Sequence, residues 1–442
     1  MMDNMTTNQR CEEFLHRYGM HYDTIDMRKE LKVFIEEMEA GLKGEQSTLM
    51  MLPTYLGVDS NVPTGTPIIV MDAGGTNFRV ASVTFRAGNS PLIESFEKYT
   101  MPGSQGTISR EEFFDTIAKR LLPVIGTSER VGFCYSYPSE IQPNRDGMFI
   151  KFSKEVSVDG LLPGMMIGEG INEALAKLGQ SPKEFIILND TVAAMLGGIA
   201  QQAGTAEKSD GHIGFILGTG TNTCYPELCS NITKAPEAVC REGTMAVNVE
   251  SGGYGRFPRG EMDERYDATT KTPGQYKFEK MVSGAYQGGI LYLTILQAIE
   301  DGLFSDAFRE GFARWKELIP LWEVDQFCDA PQGDNTLADL VRDNEDDRNL
   351  LLAIFDASYE RAARLVAINL GAVIKKMGRG ENPESPVCIT AEGTTFQKSR
   401  LFREKLDGYV KSFLNGELGV YCRFLTVEDA TLLGTAVAGL IG

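Results

Sequence analysis

The segment PIIVMDAGGTNFRVASVTF, residues 67–85, decides the fold. An apolar run ends at Asp72, a β-rich run follows, and the small residues between the two runs favour a tight turn, so the sequence predicts a β-hairpin. Successive backbone N–H groups at Gly74 and Gly75, with the Thr76 hydroxyl beside them, could face an anion. Asp72 could hold a metal ion, or its waters, against that anion. The alternative is an ordinary type I′ turn between two strands.

A second stretch, HIGFILGTGTNTCYPE at residues 212–227, repeats this pattern. Its apolar strand runs into Gly218, Thr219 and Asn222, and another short strand follows. Two matching hairpins indicate two related halves that face a phosphate chain between them. The chain has no GxxxxGK[ST] signature and no complete GxGxxG, which disfavours a Walker or Rossmann nucleotide site.

Length and charge limit the class of protein. A chain of 442 residues exceeds the usual size of one domain, so two domains are expected. With 43 basic and 61 acidic residues, the net charge is −18. An acidic surface repels nucleic acids and anionic membranes, so neither is expected as a partner. Any phosphate site must therefore gather positive potential locally, from backbone amides, a lysine and a metal ion.

The cysteines and histidines exclude further classes. The 8 cysteines show no CxxC or zinc spacing and no secretory leader is recognised, which favours reduced thiols and a cytoplasmic location. Only three histidines are present, which disfavours a histidine-based triad or metal site. No apolar run reaches the roughly 20 residues that span a bilayer, and the tail at 432–441 is expected to be a packed final helix.

Hydrophobic periodicity gives a coarse order of elements. The expected segments are an amphipathic helix at 27–43, a connector at 49–57, one helix from about 273 to 299, a peripheral helical insert at 303–348, a long Ala-rich helix at 350–377, a strand with a Gly-Thr turn at 386–396 and a helix at 398–414.

Polar residues follow several predicted strands. Asp190 comes after the buried strand FIIL, and the carboxyl ends of strands in open α/β sheets are where ligands bind, so Asp190 is a candidate base. The alternative is a residue that caps the following helix. Ser136 ends another strand, Ser153 lies next to Lys154, a candidate cation for a transferring phosphoryl group, and Glu250 precedes a glycine turn.

Together these motifs resemble the hexokinase family of the actin-like ATPase superfamily, from about residue 38 to the C-terminus. The resemblance rests on eight segments in register: MLPTYL (51–56), MDAGGTNFRV (71–80), CYSYP (134–138), FIKFSKEV (149–156), LNDTVAAM (188–195), LGTGTNTCYPE (217–227), NVESGGYG (248–255) and TAEGTTF (390–396).

The resemblance implies an α/β chain with the two-domain actin-like ATPase (RNase H-like) fold, in which helices flank mixed β-sheets and the active site lies in the interdomain cleft. The small domain would comprise residues 63–190 and 428–442, and the large domain residues 1–62 and 191–427.

The resemblance also implies an ATP-dependent hexokinase that transfers the γ-phosphate of ATP to the 6-hydroxyl of a hexose, with Mg²⁺. Glucose is the first candidate, followed by mannose and fructose. Asp190 would be the general base and Lys154 the second catalytic residue. The hexose would contact Ser136, Ser153, Lys154, Asn189, Asp190, Asn222 and Glu250. ATP would contact Asp72, Gly74, Gly75, Thr76, Asn77, Gly218, Thr219, Gly393 and Thr394, and Asp72 would hold the metal through water.

The chain departs from the family pattern at three places. Gly289 replaces a second glutamate that would reach the sugar near O1, Ser251 replaces an aromatic residue, and ATLLG at 430–434 replaces a Gly-Ser-Gly-Lys-Gly start of the last helix. These departures motivate a second hypothesis, a hexose-sensing regulator of the same fold without catalysis. A polymerising or chaperone ATPase of the superfamily is a third hypothesis, which the sugar-contact set disfavours.

Overall fold

A computed structural model describes residues 6–58, 61–152, 156–203, 205, 207–235 and 242–442. Over these ranges, no helix combines the length and the apolar character that crossing a membrane requires.

The strands of the described ranges are, in chain order, β1 (Leu52–Gly57), β2 (Pro67–Ala73), β3 (Asn77–Phe85), β4 (Pro91–Thr100), β5 (Ile108–Ser109), β6 (Arg130–Tyr135), β7 (Ser139–Ile141), β8 (Gly147–Phe149), β9 (Val158–Asp159), β10 (Glu184–Leu188), β11 (His212–Leu217), β12 (Thr221–Leu228), β13 (Thr244–Asn248), β14 (Val387–Glu392) and β15 (Cys422–Leu425).

The α-helices of the same ranges are α1 (Thr7–Arg17), α2 (Met27–Lys43), α3 (Arg110–Leu121), α4 (Ile167–Lys177), α5 (Asp190–Ala203), α6 (Glu261–Thr269), α7 (Lys277–Val282), α8 (Gln287–Glu300), α9 (Asp306–Phe312), α10 (Leu321–Asp329), α11 (Thr336–Leu340), α12 (Glu345–Met377), α13 (Thr394–Lys398), α14 (Arg400–Tyr409) and α15 (Ala430–Ile441). A π-helical segment, Val410–Glu417, continues α14.

Two mixed sheets carry the fold, and they share one strand order. The first runs β4-β3-β2-β6-β10, with an antiparallel meander followed by two parallel strands. The second runs β13-β12-β11-β14-β15 in the same arrangement, with β1 added beside β13. The prediction of two related halves built on the hairpins β2–β3 and β11–β12 is therefore confirmed.

The alternation of side chains along the strands separates the packing layers. Ile69 and Met71 of β2 face a core shared with α3 and α4, whereas Ile68 and Val70 face a core shared with α5 and α15. The second sheet packs α5 on one face and the long helix α12, with α2, on the other. The helices α5 and α15 thus fill the space between the two sheets.

The contact between α5 and α15 is unusually close because glycines lie on both helices. A Cβ added at Gly434 would lie 1.7 Å from the carbonyl oxygen of Ala193, and one added at Gly197 would lie 2.3 Å from that of Ala430. The two backbones therefore touch, and no side chain can separate them at this crossing. Leu432 and Leu433, where the family pattern has glycine and lysine, are buried beside it.

The structure corrects two of the predicted elements near the cleft. The expected connector at 49–57 contains the edge strand β1, where Pro53 is tolerated because an edge strand needs no donor on its outer side. The single helix expected at 273–299 is two helices, α7 and α8. The chain breaks between them because Gly284 N donates to the Gly218 carbonyl at 2.7 Å, which draws this backbone onto the second hairpin.

At the other end of the chain, the helix expected at 398–414 is divided among α13, α14 and the π-helical segment. The predicted domain limits, 63–190 with 428–442 and 1–62 with 191–427, remain a prediction.

The expectation that every thiol is reduced is wrong at Cys229, which is disulfide-bonded. Disulfide pairing depends on which Cβ atoms meet in the fold, and sequence spacing does not reveal that. The other described cysteines are free thiols: Cys11, Cys134, Cys224, Cys328, Cys388 and Cys422.

Candidate active site

The turn of the β2–β3 hairpin carries the first group of predicted nucleotide residues. Gly74 N donates to the Asn77 carbonyl at 2.9 Å, so the expectation that this N–H group faces an anion is wrong for Gly74 in this structure. The Tyr137 hydroxyl donates to the Gly74 carbonyl at 2.7 Å. Neither Gly74 nor Gly75 has left-handed backbone angles, so the type I′ alternative, which needs them at both central positions, is wrong. A Cβ at Gly74 would meet only the Asn77 carbonyl, at 3.6 Å, so the packing of the chain itself does not require glycine there.

Asp72 lies at the end of β2 with only 4% of its surface exposed. Its carboxylate pairs with Arg79 of β3 at 3.0 Å, and the same guanidinium reaches Asp429, just before α15, at 3.4 Å. Asp429 in turn lies near Glu392 at the end of β14, since burial first and then the charge of Asp429 raise the pKa of Glu392. The first hairpin, the start of α15 and the end of β14 therefore share one side of the molecule.

The second hairpin, β11–β12, is held by backbone contacts at Gly218. Gly218 N donates to the Gly220 carbonyl at 2.9 Å, and the Thr395 hydroxyl donates to the Gly218 carbonyl at 3.1 Å. Gly393 has a left-handed φ of 109°, and a Cβ there would lie 2.4 Å from the Leu217 carbonyl. The predicted residues Gly218, Thr219 and Gly393 are thus neighbours, and Thr394 is the exposed first residue of α13.

Glu279 of α7 joins this hairpin, and the sequence did not single it out. Its carboxylate accepts from Thr221 N at 3.0 Å, and a Cβ at Gly220 would lie 2.4 Å from Oε2. Gly252 leaves room for the same side chain. Burial, together with the nearby charge of Glu250, raises the pKa of Glu279 to about 7. The available signal was a carboxylate flanked by Phe278, Met281 and Val282, all of which are buried.

The predicted sugar residues Asn222 and Glu250 meet in a buried hydrogen-bond network. Asn222 Nδ2 donates to Asn248 Oδ1 at 2.7 Å, and Asn248 Nδ2 donates to Glu250 Oε1 at 2.7 Å. Burial is the main cause of the raised pKa of Glu250, which the charge of Asp190 raises further and the two amides lower. Asn248 is a second residue that the sequence reasoning missed.

The backbone supports this network. Glu250 has left-handed angles, φ 56° and ψ 44°, which are uncommon for a residue with a side chain and are often found at functional sites. Ser251, where the family pattern has an aromatic residue, donates its N–H to Asn222 Oδ1 at 3.2 Å and is fully buried.

Asp190 is the first residue of α5 and is half-buried. The alternative role for Asp190 was to cap the following helix. In the structure Asn189 caps α5 instead, since its Oδ1 accepts a hydrogen bond from Thr191 N at 2.9 Å. Among the described residues, the Asp190 carboxylate accepts a hydrogen bond only from the Thr191 hydroxyl, at 3.3 Å. Its charge contributes to the raised pKa values of Glu250 and of the Cys134 thiol, after burial in both cases.

Strand register aligns these groups along one edge. Asp72, Cys134 and Leu188 are direct neighbours across the parallel strands β2, β6 and β10, so Ser136 and Asp190, two residues further on, lie beyond the same edge. Asn222 Nδ2 reaches Asn189 Oδ1 at 3.5 Å and links the second sheet to the first.

Two predicted residues, Ser153 and Lys154, lie outside the described residues. Close to them in the chain, the Lys151 ammonium lies 5.6 Å from the ring centre of Tyr276, which caps α7. The segment that leads to them therefore reaches the same wall of the cleft as Glu279. Asn77 is exposed, and its amide donates to the Thr76 hydroxyl at 3.3 Å.

Comparison with known proteins places the chain in a family. Two protein-family models, both described as Hexokinase, match the chain, one over residues 11–199 and the other over residues 212–441. Hexokinase-1 of Nicotiana tabacum is 28% identical over 430 residues, which cover 91% of this chain and 84% of that protein. Hexokinase-2 of Candida albicans is 27% identical over 444 residues, covering 93% and 88%.

Solved structures agree on the fold. A hexokinase from Schistosoma mansoni complexed with glucose superimposes with a TM-score of 0.75 at 23% identity, over 98% of this chain and all of that one. A second hexokinase crystal structure also gives 0.75, at 20% identity and 98% coverage of both chains. The duplicated sheets, the paired hairpins and the family models that span nearly the whole sequence lead to one assignment: this chain belongs to the hexokinase family and has the actin-like ATPase fold.

Proposed function

We propose that the chain transfers the γ-phosphate of ATP to the 6-hydroxyl of a hexose, with glucose as the first substrate. The observation that supports the proposal is that Asp190, a carboxylate with one hydrogen-bond donor among the described residues, lies at the strand edge that carries Asp72 and that the Asn222–Asn248–Glu250 network reaches through Asn189. A base beside a set of sugar-binding amides and carboxylates is what such a transfer needs.

In this mechanism Asp190 accepts the proton of the 6-hydroxyl. The oxygen forms a bond to the γ-phosphorus, the bond to the bridging oxygen breaks, and that oxygen leaves with ADP. Asn189, Asn222 and Glu250, with Ser136, would hold the ring hydroxyls and orient the 6-hydroxyl toward the phosphate. Positioning supplies much of the rate because the transition state is loose and no covalent enzyme intermediate forms.

The phosphates would lie against the backbone of the two hairpins, at Gly74–Thr76 and Gly218–Thr219. Gly393 and Thr394 would lie beside the nucleoside, and Lys154 would approach the transferring group. Asp72 suits Mg²⁺ held through water, because a buried carboxylate at an open turn is the hard oxygen donor that this ion prefers. When bound, Mg²⁺ neutralises phosphate charge, and Arg79 beside Asp72 would add to that neutralisation.

Transfer to a sugar requires that water be kept away from the phosphate, or ATP is hydrolysed. A cleft between two domains can close on the sugar and exclude water. We retain the division into residues 63–190 with 428–442 and residues 1–62 with 191–427 as the two bodies that close.

The experiment is a coupled assay of ADP release with glucose, mannose, fructose and N-acetylglucosamine. Glucose-dependent ADP release with formation of the 6-phosphate supports the proposal. Sugar binding without ADP release at any hexose or nucleotide concentration would leave the second hypothesis, a hexose-sensing regulator. Gly289 and the altered start of α15 are the features that favour the regulator, whereas Asp190, which a sensor does not need, opposes it.

A further inference from the structure

The space that a side chain at position 289 would need is occupied by the ring of Tyr266. Gly289 is buried in the first turn of α8, and its backbone is not left-handed. A Cβ added there would lie 2.1 Å from Cε2 of Tyr266, 2.3 Å from Cζ and 2.6 Å from the phenol oxygen. The outer end of the Tyr266 ring therefore occupies the position where a side chain at 289 would begin.

The first turn of α8 borders the candidate active site. The preceding loop is bound to the second hairpin through Gly284 N, and Gly289 N donates to the carbonyl of Tyr286 at 3.0 Å. Burial is the main cause of the raised pKa of Tyr286, followed by Glu279 and then Tyr266 and Tyr276. The phenol of Tyr266 lies against this first turn of α8, which follows the loop that is bound to the second hairpin.

An ion pair fixes Tyr266 and Glu279 relative to each other. Asp267, the residue after Tyr266, accepts from Lys280, the residue after Glu279, at 2.5 Å. Both side chains are at least nine-tenths buried, and Arg259 adds a second contact to Asp267 at 3.2 Å. A buried ion pair therefore joins α6 to α7 at the residues next to Tyr266 and Glu279.

The Tyr266 hydroxyl has no hydrogen-bond partner among the described residues, and the ring is only half-buried. A phenol can both donate and accept a hydrogen bond, whereas a carboxylate only accepts. The cleft already holds Asp190, Glu250 and Glu279, so a neutral group on this wall avoids the repulsion that a further carboxylate would add.

We propose that Tyr266 is a specificity-determining residue of the hexose site, in which its phenol takes the place of a side chain at position 289 and hydrogen-bonds a ring hydroxyl. This inference rests on the proposed function for the identity of the ligand. The alternative is that Tyr266 only fills the space beside a glycine.

The decisive variant is Tyr266→Phe, which keeps the ring and removes the hydroxyl. We expect the Kd for glucose to rise about 3- to 10-fold, as for loss of one neutral hydrogen bond, with an unchanged Tm. Either 1-deoxyglucose or 2-deoxyglucose should bind the variant and the wild type equally, which identifies the hydroxyl that Tyr266 contacts. Tyr292→Phe is the matched control, a half-buried tyrosine of α8 whose ring stacks on Phe312, and it should leave every Kd unchanged.

A second pair of variants tests whether the Tyr266 ring fills the space beside Gly289. Gly289→Ala should lower the Tm because its methyl group meets the Tyr266 ring, and adding Tyr266→Ala should restore part of that loss. Equal Kd values for Tyr266→Phe and wild type with every sugar, or no coupling between positions 266 and 289, would overturn the inference. Because the readout is binding, a chain that binds hexose without phosphorylating it would remove the proposed function and leave this test intact.

Discussion

Two carboxylates of the cleft, Asp190 and Glu250, are held in different ways. Glu250 Oε1 receives amide hydrogen bonds from Asn248 at 2.7 Å and from Asn222 at 3.3 Å, whereas Asp190 receives one hydroxyl at 3.3 Å. A carboxylate whose lone pairs are engaged by amides is suited to orienting a ligand. A carboxylate that accepts fewer hydrogen bonds keeps lone pairs that can take a proton.

We predict that Asp190→Asn lowers kcat by about 10²- to 10⁴-fold, since the amide has no basic oxygen to take the 6-hydroxyl proton. The Tm should change little because Asn189 rather than Asp190 caps α5, and glucose should still bind because the new amide can hydrogen-bond the 6-hydroxyl. Steady-state kinetics and calorimetric titration of the same preparation measure both effects. A variant with near-normal turnover would reject Asp190 as the base.

Glu279 gives a prediction on pH. Its pKa is raised from an ordinary 4.5 to about 7, so the folded chain binds this proton more tightly than the unfolded chain. The resulting stabilisation is complete below about pH 4.5 and is lost as the pH rises through about 7. Thermal denaturation between pH 5 and 8 should show wild type losing stability relative to Glu279→Gln. The control variant Glu173→Gln, at an exposed position of α4, should show the same change of Tm with pH as wild type. The prediction would be contradicted if the Tm of Glu279→Gln also changed with pH as that of wild type does.

At the residue scale, the sequence could nominate candidate site residues where a polar side chain directly follows a predicted strand or stands beside a glycine turn. Asp190 and Asn189 follow an apolar run, and Asn222 and Glu250 stand beside glycine turns, so each could be identified from its neighbours in the chain. Asn248 and Glu279 could not, because what distinguishes them is a contact with a residue distant in sequence. Glu279 lies 58 positions from Thr221, whose N–H it accepts.

At the scale of elements, the two hairpins use glycine for different reasons. At the second hairpin, a Cβ added at Gly220 would lie 2.4 Å from Glu279 Oε2, and one added at the adjacent Gly393 would lie 2.4 Å from the Leu217 carbonyl. A Cβ at Gly74 of the first hairpin would meet only the Asn77 carbonyl, at 3.6 Å. A glycine that the fold does not need, in a turn that would face a phosphate, is what close approach of a ligand to the backbone requires.

We therefore predict that Gly74→Ala folds normally but loses about 10- to 100-fold in kcat/KM for ATP, because the added methyl group keeps the phosphate away from the backbone of the turn, a loss comparable to that of one charge-assisted hydrogen bond. The Tm should stay within the error of the wild-type value, and the KM for glucose should change little. Gly126→Ala is the matched control, because its added Cβ meets nothing within 4 Å and its turn lies away from the hairpins. Equal kinetics for Gly74→Ala and Gly126→Ala would show that the first hairpin does not approach ATP.

The ends of helices could be predicted where the sequence contains capping residues. The prediction failed where contacts with distant parts of the chain determine the end of a helix. The helix at 27–43 begins after Asp26, which accepts from two backbone N–H groups, and ends at the left-handed Gly44. The break between α7 and α8 has no such signal. It arises because the backbone at Gly284 and Ala285 pairs with the second hairpin, at 2.7 and 3.3 Å.

At the scale of the whole molecule, the repeated strand order means that the candidate site is assembled from corresponding edges of two similar sheets. We predict that glucose at about 100 times its Kd raises the unfolding free energy by about 2.7 kcal/mol. Asp190→Asn should show the same shift while it lacks turnover, which separates sugar binding from catalysis. Thermal denaturation with glucose, and with sorbitol as a control polyol, checks this. No shift with any hexose would contradict the assignment of the sugar site.

The crossing of α5 and α15 sets how closely the two sheets approach each other. Because glycines bring the two helix backbones into contact, a side chain introduced at Gly197 or Gly434 would force the helices apart. Neither glycine is among the residues proposed to contact sugar or nucleotide. A substitution at this buried crossing is therefore expected to change the separation of the two sheets while every group in the candidate site keeps its chemistry.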